Sequence, residues 1–289
     1  MLPSRSSSPG DTVTISRGDA SRQLDSAGLR AKRALGQNFV VDPNTVRRIA
    51  RLANVKEGDR VLEIGAGLGS LTLALAELGA HVTAVEIDTS LLPLLRENVE
   101  ASPHAENITI VQGDAMRLDW DALLGDHTDW ALVANLPYNV ATPLVADVLD
   151  GVPQVSRMLV MVQKEVGERF AALPREEAFG AVSVKVAFHG TARVVGIVPP
   201  TVFLPRPNVD SALVEIVRHP VPIDPTVDPD TLFALVRTGF AKRRKMLRGA
   251  LAGVVTPEQL ESVGIAPTSR AEELSVHDWI RLAHAVGGH

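Results

Sequence analysis

Cysteine is absent from the 289 residues, tyrosine occurs only once, and the chain has no long hydrophobic run. The lack of cysteine excludes thiol nucleophiles, cysteine zinc sites and disulfides, and it fits a reducing compartment. The apolar stretches are short and broken by charges, and residues 1–28 contain no apolar core of a secretory signal. We therefore expect a soluble, non-secreted, cytoplasmic protein.

An excess of positive charge is also missing. The chain has 29 Lys+Arg against 34 Asp+Glu, a formal net charge of −5. A protein with this balance binds a polyanion only through local basic patches. The eight histidines are scattered, with no spacing typical of metal ligands, so we expect no metal.

From residue 60 onward, short apolar runs alternate with helical patterns. We predict strands over 61–64, 81–86, 108–111, 131–134 and 158–163, with further strands over 182–188 and 212–217. We predict helices over 43–54, 71–78, 89–99, 143–149 and 164–172. The alternation of strand and helix predicts an α/β fold with a Rossmann-like parallel sheet covered by helices on both faces.

The two ends of the chain differ from this central region. Residues 1–28 lack apolar periodicity and are predicted to be disordered. Residues 220–229 contain four prolines and are predicted to be a linker. Helical patterns follow at 230–251, 257–263 and 271–286. We therefore predict an α/β domain over 29–219 and a small all-helical domain over 220–289.

A glycine loop, residues 65–69, joins the first strand of this α/β region to a helix. Its spacing is GxGxG, and a bare glycine turn is more often structural than functional. Glu86 ends the next strand, where a carboxylate can accept hydrogen bonds from both hydroxyls of a ribose. Asp114 ends the third strand and could accept from an adenine amino group. Either acid alone is more typical of a solvated strand end or a helix cap.

Together with Gly65, however, these two acids occupy three successive strand ends, which favours an adenosyl ligand. The glycine loop contains no lysine or arginine for a diphosphate. S-adenosylmethionine is therefore the candidate ligand.

The fourth strand is followed by Asn135-Leu136-Pro137-Tyr138, which includes the single tyrosine. A side-chain amide, two backbone carbonyls and one aromatic ring suit an exocyclic amine on a flat ring. The carbonyl oxygens can accept the amine's N–H bonds while the phenol ring stacks on the base. The tetrapeptide alone is a weak signal, and its position after the other three strand ends strengthens it.

In these motifs the sequence resembles the ribosomal RNA adenine dimethyltransferases, and within them the bacterial enzymes of the small ribosomal subunit. The resemblance covers nearly the whole chain after about residue 28. It rests on Leu35-Gly-Gln-Asn-Phe39, Glu63-Ile-Gly-Ala-Gly-Leu68, Glu86-Ile-Asp88, Gly113-Asp-Ala115, Asn135-Leu-Pro-Tyr-Asn139, Gln163-Lys-Glu-Val166, Pro205-Arg-Pro-Asn-Val-Asp-Ser211 and Arg243-Arg-Lys245.

The resemblance implies which residues bind the ligand and what reaction follows. It implies that S-adenosylmethionine contacts Asn38, Val40, Gly65, Glu86, Asp114 and Asn135, and that Asn135, Leu136, Pro137 and Tyr138 hold the target adenine. It further implies two methyl transfers to each of two adjacent adenines near the 3′ end of 16S rRNA. The implied partner is the small subunit or its precursor, whose maturation is coupled to the reaction, and we expect a monomer. Val40 departs from the leucine expected at its position.

A basic segment begins at Phe240 and is predicted to be helical. Its five positive side chains, with no negative one among them, are Lys242, Arg243, Arg244, Lys245 and Arg248. Such a run is commonly a solvated helix face, but it can also bind an RNA backbone. Arg244 falls on the apolar stripe of the predicted helix, so either the helix breaks near Gly239 or a partner holds Arg244.

Three other functions compete with this assignment. The first is methylation of 23S rRNA by an enzyme of the resistance type. The second is methylation of glutamine in a protein, which is disfavoured because that class carries proline where this chain has Leu136. The third is a ribosome assembly factor whose methyl transfer is secondary, a role that can coexist with the enzymatic one.

Overall fold

The computed structural model describes residues 14–287. The strands of this part are β1 (Phe39–Val40), β2 (Arg60–Ile64), β3 (His81–Glu86), β4 (Ile108–Gln112), β5 (Trp130–Asn135), β6 (Val155–Gln163), β7 (Gly190–Val198), β8 (Phe203–Leu204) and β9 (Ser211–Arg218). Its helices are α1 (Arg17–Ser26), α2 (Pro43–Leu52), α3 (Ser70–Glu77), α4 (Leu92–Glu100), α5 (Trp120–Leu124), α6 (Ala141–Gly151), α7 (Lys164–Ala171), α8 (Ala181–His189), α9 (Pro229–Ala241), α10 (Leu247–Ala250), α11 (Pro257–Ser262) and α12 (Val276–Gly287). No helix in this range is long and apolar enough to cross a membrane.

Contacts within the chain define two compact units. The first contains the described residues up to Pro137 together with Val198–Val209. The second contains Tyr138–Ile197 and the described residues from Asp210 onward. The boundary predicted between residues 219 and 220 lies inside the second unit, because Phe188 of α8 packs against Phe233 of α9 with ring centroids 5.5 Å apart.

The sheet of the first unit confirms the predicted α/β pattern. Its strands lie in the order β4-β3-β2-β5, and each neighbouring pair is parallel. These strands are rich in Val, Ile, Leu and Ala and are mostly buried, as parallel strands covered by helices are. A small antiparallel pair, β1 with β8, was not predicted, because two residues are too few to show a pattern.

Helix α2 begins where the sequence predicts. The carboxylate of Asp42 accepts from the backbone N–H of Thr45 at 2.8 Å, and Pro43 takes the first helical position, where no backbone donor is needed. Val46 and Ile49 then face the core of the first unit.

The predicted strand over 182–188 is wrong, because these residues form most of α8. Their apolar residues alternate as in a strand, but a short apolar run cannot distinguish a strand from a buried helix. Val184 and Phe188 are buried in a cluster with residues of α9 and α12. The strand in this part of the chain is β7, which begins only at Gly190.

The predicted long helix over 230–251 is also interrupted. Helix α9 ends at Ala241, and the basic residues from Lys242 to Lys245 form a turn in which Lys245 N–H donates to the Lys242 carbonyl at 2.8 Å. The helix thus ends near Gly239, as the first of the two alternatives predicted, although Gly239 itself lies inside α9. It is needed inside α9 because a Cβ there would lie 2.6 Å from the Trp279 ring.

The prediction of disorder for residues 1–28 is wrong for α1. Ser16 and Asp19 form a capping box, in which each side chain bonds the backbone N–H of the other residue. Ala20 and Leu24 are buried against the first unit. Two apolar residues give little periodicity, and this helix is stabilised by tertiary packing that sequence patterns do not show. Residues 1–13 lie outside the described range.

Candidate active site

The carboxyl ends of four strands carry the predicted site residues of the first unit. The register aligns Ile64 of β2 with Val85 of β3 on one side and with Ala134 of β5 on the other. Val85 in turn aligns with Val111 of β4. Because the strands are parallel and in register, Gly65, Glu86, Asp114 and Asn135 follow at one edge of the sheet, where open α/β folds bind ligands.

The glycine loop is held against β3 by backbone hydrogen bonds. The N–H groups of Gly65 and Ala66 both donate to the Val85 carbonyl, at 2.8 and 3.1 Å. Gly67 has φ +59°, and a Cβ at this position would lie 3.0 Å from the ring of Phe39. A side chain is therefore excluded twice, by the left-handed backbone and by the aromatic ring.

Glu86 is buried and connects the glycine loop to the end of β3. Its carboxylate accepts from the N–H of Gly67 at 2.7 Å and from the N–H of Asp88 at 2.8 Å. Burial raises the pKa of Glu86, and these two hydrogen bonds offset part of that rise. A carboxylate can accept about four hydrogen bonds, so capacity remains for two ribose hydroxyls. Glu86 therefore fits the role predicted for it.

The amide of Asn135 has one defined orientation. Its nitrogen Nδ2 donates to the backbone carbonyl of Asn38 at 2.8 Å. Because a carbonyl can only accept, the nitrogen must face Asn38 and the oxygen Oδ1 must point to the other side. The arrangement directs Oδ1, a hydrogen-bond acceptor, away from Asn38. Asn38 is predicted to contact the methyl donor, and in the structure its backbone carbonyl also orients the Asn135 amide.

The segment containing Asn38 is anchored to Asp88, a residue for which the sequence suggested no function. The Asp88 carboxylate accepts from Lys32 Nζ at 2.6 Å and from Gln37 Nε2 at 2.8 Å. Ser90 donates to it as well. Burial alone would raise the pKa of Asp88, but the hydrogen bonds outweigh burial and lower it to about 2. Gln37 and Asp88 both stand in motifs on which the family resemblance rests, and those motifs were the sequence signal for this contact.

A cavity beside this edge is lined by Phe39, Val40, Val46, Ile49, Glu63, Gly65, Ala66, Leu68, Ser70, Leu71 and Asn135. Its volume of about 40 Å³ admits a water molecule and not an adenosyl group. Phe39 and Val40, the two residues of β1, form one wall of this cavity, whereas Glu86 and Asp114 do not line it.

Asp114 and the remaining tetrapeptide residues complete the predicted set. Asp114 is partly exposed, accepts from Met116 N–H at 3.0 Å and lies 3.7 Å from Arg117 Nε. Leu136 is buried, whereas Pro137 is partly exposed. In the second unit, the hydroxyl of Tyr138 lies 3.1 Å from the buried hydroxyl of Ser211. Ser211 was not predicted as a site residue, although it ends one of the motifs.

The five basic residues of the segment that begins at Phe240, which lies in the second unit, differ in their partners. Arg243 is bound within the chain: its Nε donates to Glu272 Oε2 at 2.7 Å, and its guanidinium also donates to the Glu177 carbonyl. The side chains of Lys242, Arg244, Lys245 and Arg248 are exposed. The predicted basic helix is therefore wrong as a helix, and the structure replaces it with a basic turn followed by the short helix α10.

A larger cavity of about 980 Å³ lies in the second unit. It is lined by Arg169, Arg193 and Arg243 together with several glutamates. Each arginine already pairs with a carboxylate, of Glu165, Glu215 and Glu272 respectively. Among residues 14–287 no group of three or more His, Asp or Glu side chains is arranged to hold a metal.

A parallel α/β sheet with a glycine loop, a strand-end glutamate and an amide at the fourth strand end defines an S-adenosylmethionine-dependent methyltransferase. The model of the family described as "Ribosomal RNA adenine dimethylase" matches residues 28–286. The chain belongs to this family. It is accordingly an enzyme that dimethylates adenine in ribosomal RNA with S-adenosylmethionine as the methyl donor.

Individual relatives agree with the family. A "Ribosomal RNA small subunit methyltransferase A" from Acidothermus cellulolyticus is 46% identical over 267 residues, which cover 90% of each chain. A dimethyladenosine transferase structure from Plasmodium falciparum has a TM-score of 0.71 at 23% identity, covering 84% of this chain and 95% of that one. The 23S rRNA methyltransferase ErmE has a TM-score of 0.62 at 25% identity, covering 86% and 100%.

Proposed function

We propose that this enzyme dimethylates N6 of two adjacent adenines near the 3′ end of 16S rRNA, within the small ribosomal subunit or its precursor. The 46% identity to a small-subunit methyltransferase supports this substrate over the 23S rRNA of the 25% identical structure. The observation that carries the chemistry is the bond from Asn135 Nδ2 to the Asn38 carbonyl, because it leaves an acceptor oxygen at the fourth strand end.

The target amine is a poor nucleophile, because its lone pair is delocalised into the adenine ring. S-adenosylmethionine supplies an electrophilic methyl group on its sulfonium. Asn135 Oδ1 and the Leu136 carbonyl accept the two N6–H bonds, which favours a pyramidal nitrogen with its lone pair directed away from both acceptors. Pro137 stiffens the turn and has no N–H to compete for these acceptors.

Tyr138 stacks on the flipped adenine, a contact worth about 1–3 kcal/mol in single-strand binders. The hydrogen bond to Ser211 fixes the far end of the ring. After the first transfer the nitrogen carries a methyl group in place of one hydrogen. Residue 136 is leucine and not a second proline. The backbone there is therefore less constrained and leaves room for that methyl group.

The donor contacts that we propose follow the strand ends. Glu86 accepts from the ribose hydroxyls, and Asp114 accepts from the adenine amino group of the donor. Gly65 admits the backbone close to the ligand, and Asn38 and Val40, in and beside β1, contact the donor from the other side.

RNA binding is proposed for the basic turn of the second unit. Lys242, Arg244, Lys245 and Arg248 present exposed charges to the phosphate backbone. Arg243 holds the turn in shape through Glu272 and also adds positive charge. Neutralising Lys242 and Lys245 should lower affinity and reduce the salt dependence of binding by about one unit of slope per lost contact. An unchanged slope would show that the turn serves only solubility.

The decisive experiment uses isotopically labelled S-adenosylmethionine with small subunits that lack the modification, followed by nucleoside analysis. The proposal predicts N6,N6-dimethyladenosine at two adjacent 16S positions, about four methyl groups per subunit. Large subunits assayed in parallel test the 23S alternative, and label in 23S rRNA alone would contradict the proposal.

We further propose that a monomer acts in the cytoplasm, where the subunit is assembled, and that its binding supports subunit maturation. An Asn135→Ala variant separates the two roles. If this variant restores maturation in a strain without the enzyme, the assembly role is independent of methyl transfer. If maturation fails while RNA affinity is retained, the methyl groups themselves are required.

A further inference from the structure

Helix α1 lies before residue 28, where the family match begins, so the family assigns it no role. It nevertheless contacts two walls of the cavity at the strand ends. One contact reaches the glycine loop through Asn98 of α4, and the other reaches β8, the strand paired with β1.

The contact with the glycine loop is a chain of amide hydrogen bonds. Gln23 Nε2 donates to Asn98 Oδ1 at 2.5 Å, and Asn98 Nδ2 donates back to Gln23 Oε1 at 3.1 Å. The same Nδ2 donates to the Leu68 carbonyl in the glycine loop at 2.9 Å. Asn98 is buried, so every donor and acceptor of its amide must be satisfied, and Gln23 satisfies half of them.

Apolar packing reinforces this connection. Ile15, Ala20 and Leu24 are buried in a cluster with Leu68 and Leu73. The Leu68 side chain lines the cavity and belongs to the glycine loop. The position of the loop therefore depends on α1 through both the backbone carbonyl and the side chain of one residue.

The contact with the second wall is made by Arg17. Its guanidinium donates to the carbonyls of Thr201 and Phe203, at 2.6 and 3.0 Å. Phe203 pairs with Val40 of β1, and Val41 N–H donates to the Val202 carbonyl at 2.9 Å. Arg17 thus holds β8, the strand that pairs with β1, and β1 forms one wall of the cavity.

We propose that α1 braces the donor-binding crevice, with Arg17 and Gln23 as positioning residues that set its two walls. The inference rests on the proposed donor site at the strand ends. A brace that holds the two walls in place slows escape of the donor and so stabilises the bound state. Neither residue lines the cavity or belongs to the tetrapeptide at residues 135–138, so we expect the effect on donor affinity and not on the chemical step.

The test compares single variants on the full-length protein. Gln23→Met keeps the length of the side chain and removes its amide, and Arg17→Gln removes the guanidinium. Each should raise the Kd for S-adenosylhomocysteine and the KM for S-adenosylmethionine about five-fold, the equivalent of one net hydrogen bond. The dissociation rate measured by stopped flow should rise by a similar factor. The kcat and the KM for RNA should stay unchanged.

Two further variants make the result specific. Arg22→Gln changes an exposed arginine of the same helix, which forms an ion pair with Asp19. This variant should leave donor binding unchanged. The double variant Arg17→Gln/Gln23→Met should show about the product of the single effects, because the two residues hold different walls.

Unchanged donor affinity in both single variants would overturn the inference, whether or not their melting temperatures fall. An equal rise in the KM for RNA would overturn it too, since general loosening would then be the cause. Binding of S-adenosylhomocysteine requires neither RNA nor turnover. If the unmodified protein failed to bind it, the proposed donor site would be contradicted together with the brace, whereas normal binding unaffected by the variants contradicts the brace alone.

Discussion

Two groups of titratable side chains in this protein differ in the partners that they have. Glu63 of β2 and Glu86 of β3, both in the first unit, are buried, and within residues 14–287 neither forms an ion pair with a lysine or arginine. Burial raises the pKa of both, and to about 8 for Glu63, whose bond from Thr72 offsets only part of the rise. These acids make the fold less stable at neutral pH than neutral groups would.

The second group, which we call the charge cluster, consists of Asp150, Lys185, His189 and Arg218 in the second unit. Asp150 pairs with Lys185 and with His189, whose Nε2 lies 3.0 Å away. Burial alone would raise the pKa of Asp150, but these two partners outweigh it and lower the pKa. Arg218 donates to four carbonyls, of Val148, Leu149, Val152 and Val155, at and after the end of α6.

The presence or absence of a charged partner distinguishes a group that stabilises the fold from a candidate binding site. Buried acids that lack a cation keep hydrogen-bonding capacity for a ligand, at a cost in stability. A cluster in which every charge has a partner has no such capacity, but it stabilises the ends of α6 and α8. We therefore expect substitutions at the strand ends to change activity, and substitutions in the charge cluster to change stability.

The largest effect is expected for Asn135→Ala. Loss of the oriented Oδ1 acceptor should reduce turnover about 100-fold or more, on the scale of lost transition-state hydrogen bonds. Single-turnover kinetics under saturating donor and RNA measure it. Asn107→Ala is the matched control, because Asn107 lies at the opposite, amino end of β4 and should leave turnover unchanged. Near-normal dimethylation by Asn135→Ala would remove this residue from the mechanism.

Glu86→Gln should weaken donor binding about 10- to 100-fold, with little change in melting temperature. The substitution places an NH2 group against one of the two backbone N–H donors, of Gly67 or Asp88, and removes the charge that accepts from the ribose. Calorimetric titration with S-adenosylhomocysteine measures the loss. A similar affinity in the variant and the unmodified protein would mean that the ribose binds elsewhere.

The charge cluster should behave in the opposite way. Asp150→Ala leaves Lys185 and His189 without their carboxylate, and we expect a loss of about 1–2 kcal/mol in the free energy of unfolding, reduced because Asp150 is partly exposed. Urea denaturation measures it. The kcat at a temperature where the variant is folded should be unchanged, and a fall in kcat would show that the contrast between the two groups is wrong.

Glu63 should produce a pH dependence of stability. The folded protein keeps a proton on Glu63 up to a pKa of about 8, whereas the unfolded chain releases it near 4.5. Stability from this group is therefore present below about pH 4.5 and falls between pH 4.5 and 8, by up to about 1.4 kcal/mol per pH unit. Glu63→Gln retains an acceptor for Thr72 and should flatten the slope, as measured by urea denaturation at several pH values. An identical slope in the variant would assign it to other groups.

The parts of the fold that could be predicted share a physical basis. Strands β2 to β5 are long enough for their apolar character to be visible, and the α2 start shows Asp42 and Pro43 in their usual positions. The parts that were wrong depend on distant contacts. Helix α8 alternates like a strand but is buried against α9, and α1 becomes a helix against Leu68 and its neighbours.

The residues of the candidate site also fall into those that local patterns predict and those whose role only distant contacts reveal. Glu86 and Asn135 were found from their place after successive strands, because parallel strands bring such residues to one edge. Asp88 and Ser211 stood in recognisable motifs, but only their partners, Gln37 and Tyr138, reveal what they hold.

The sequence by itself determined the alternation of β2 to β5 with helices, the residues at the strand ends and the methyltransferase family, because these depend on local patterns and on motifs in a fixed order. Only the tertiary structure decided the orientation of the Asn135 amide, the turn at Lys242 and the contact of α1 with two cavity walls. Each of these depends on groups that are distant in the chain and meet only when it is folded.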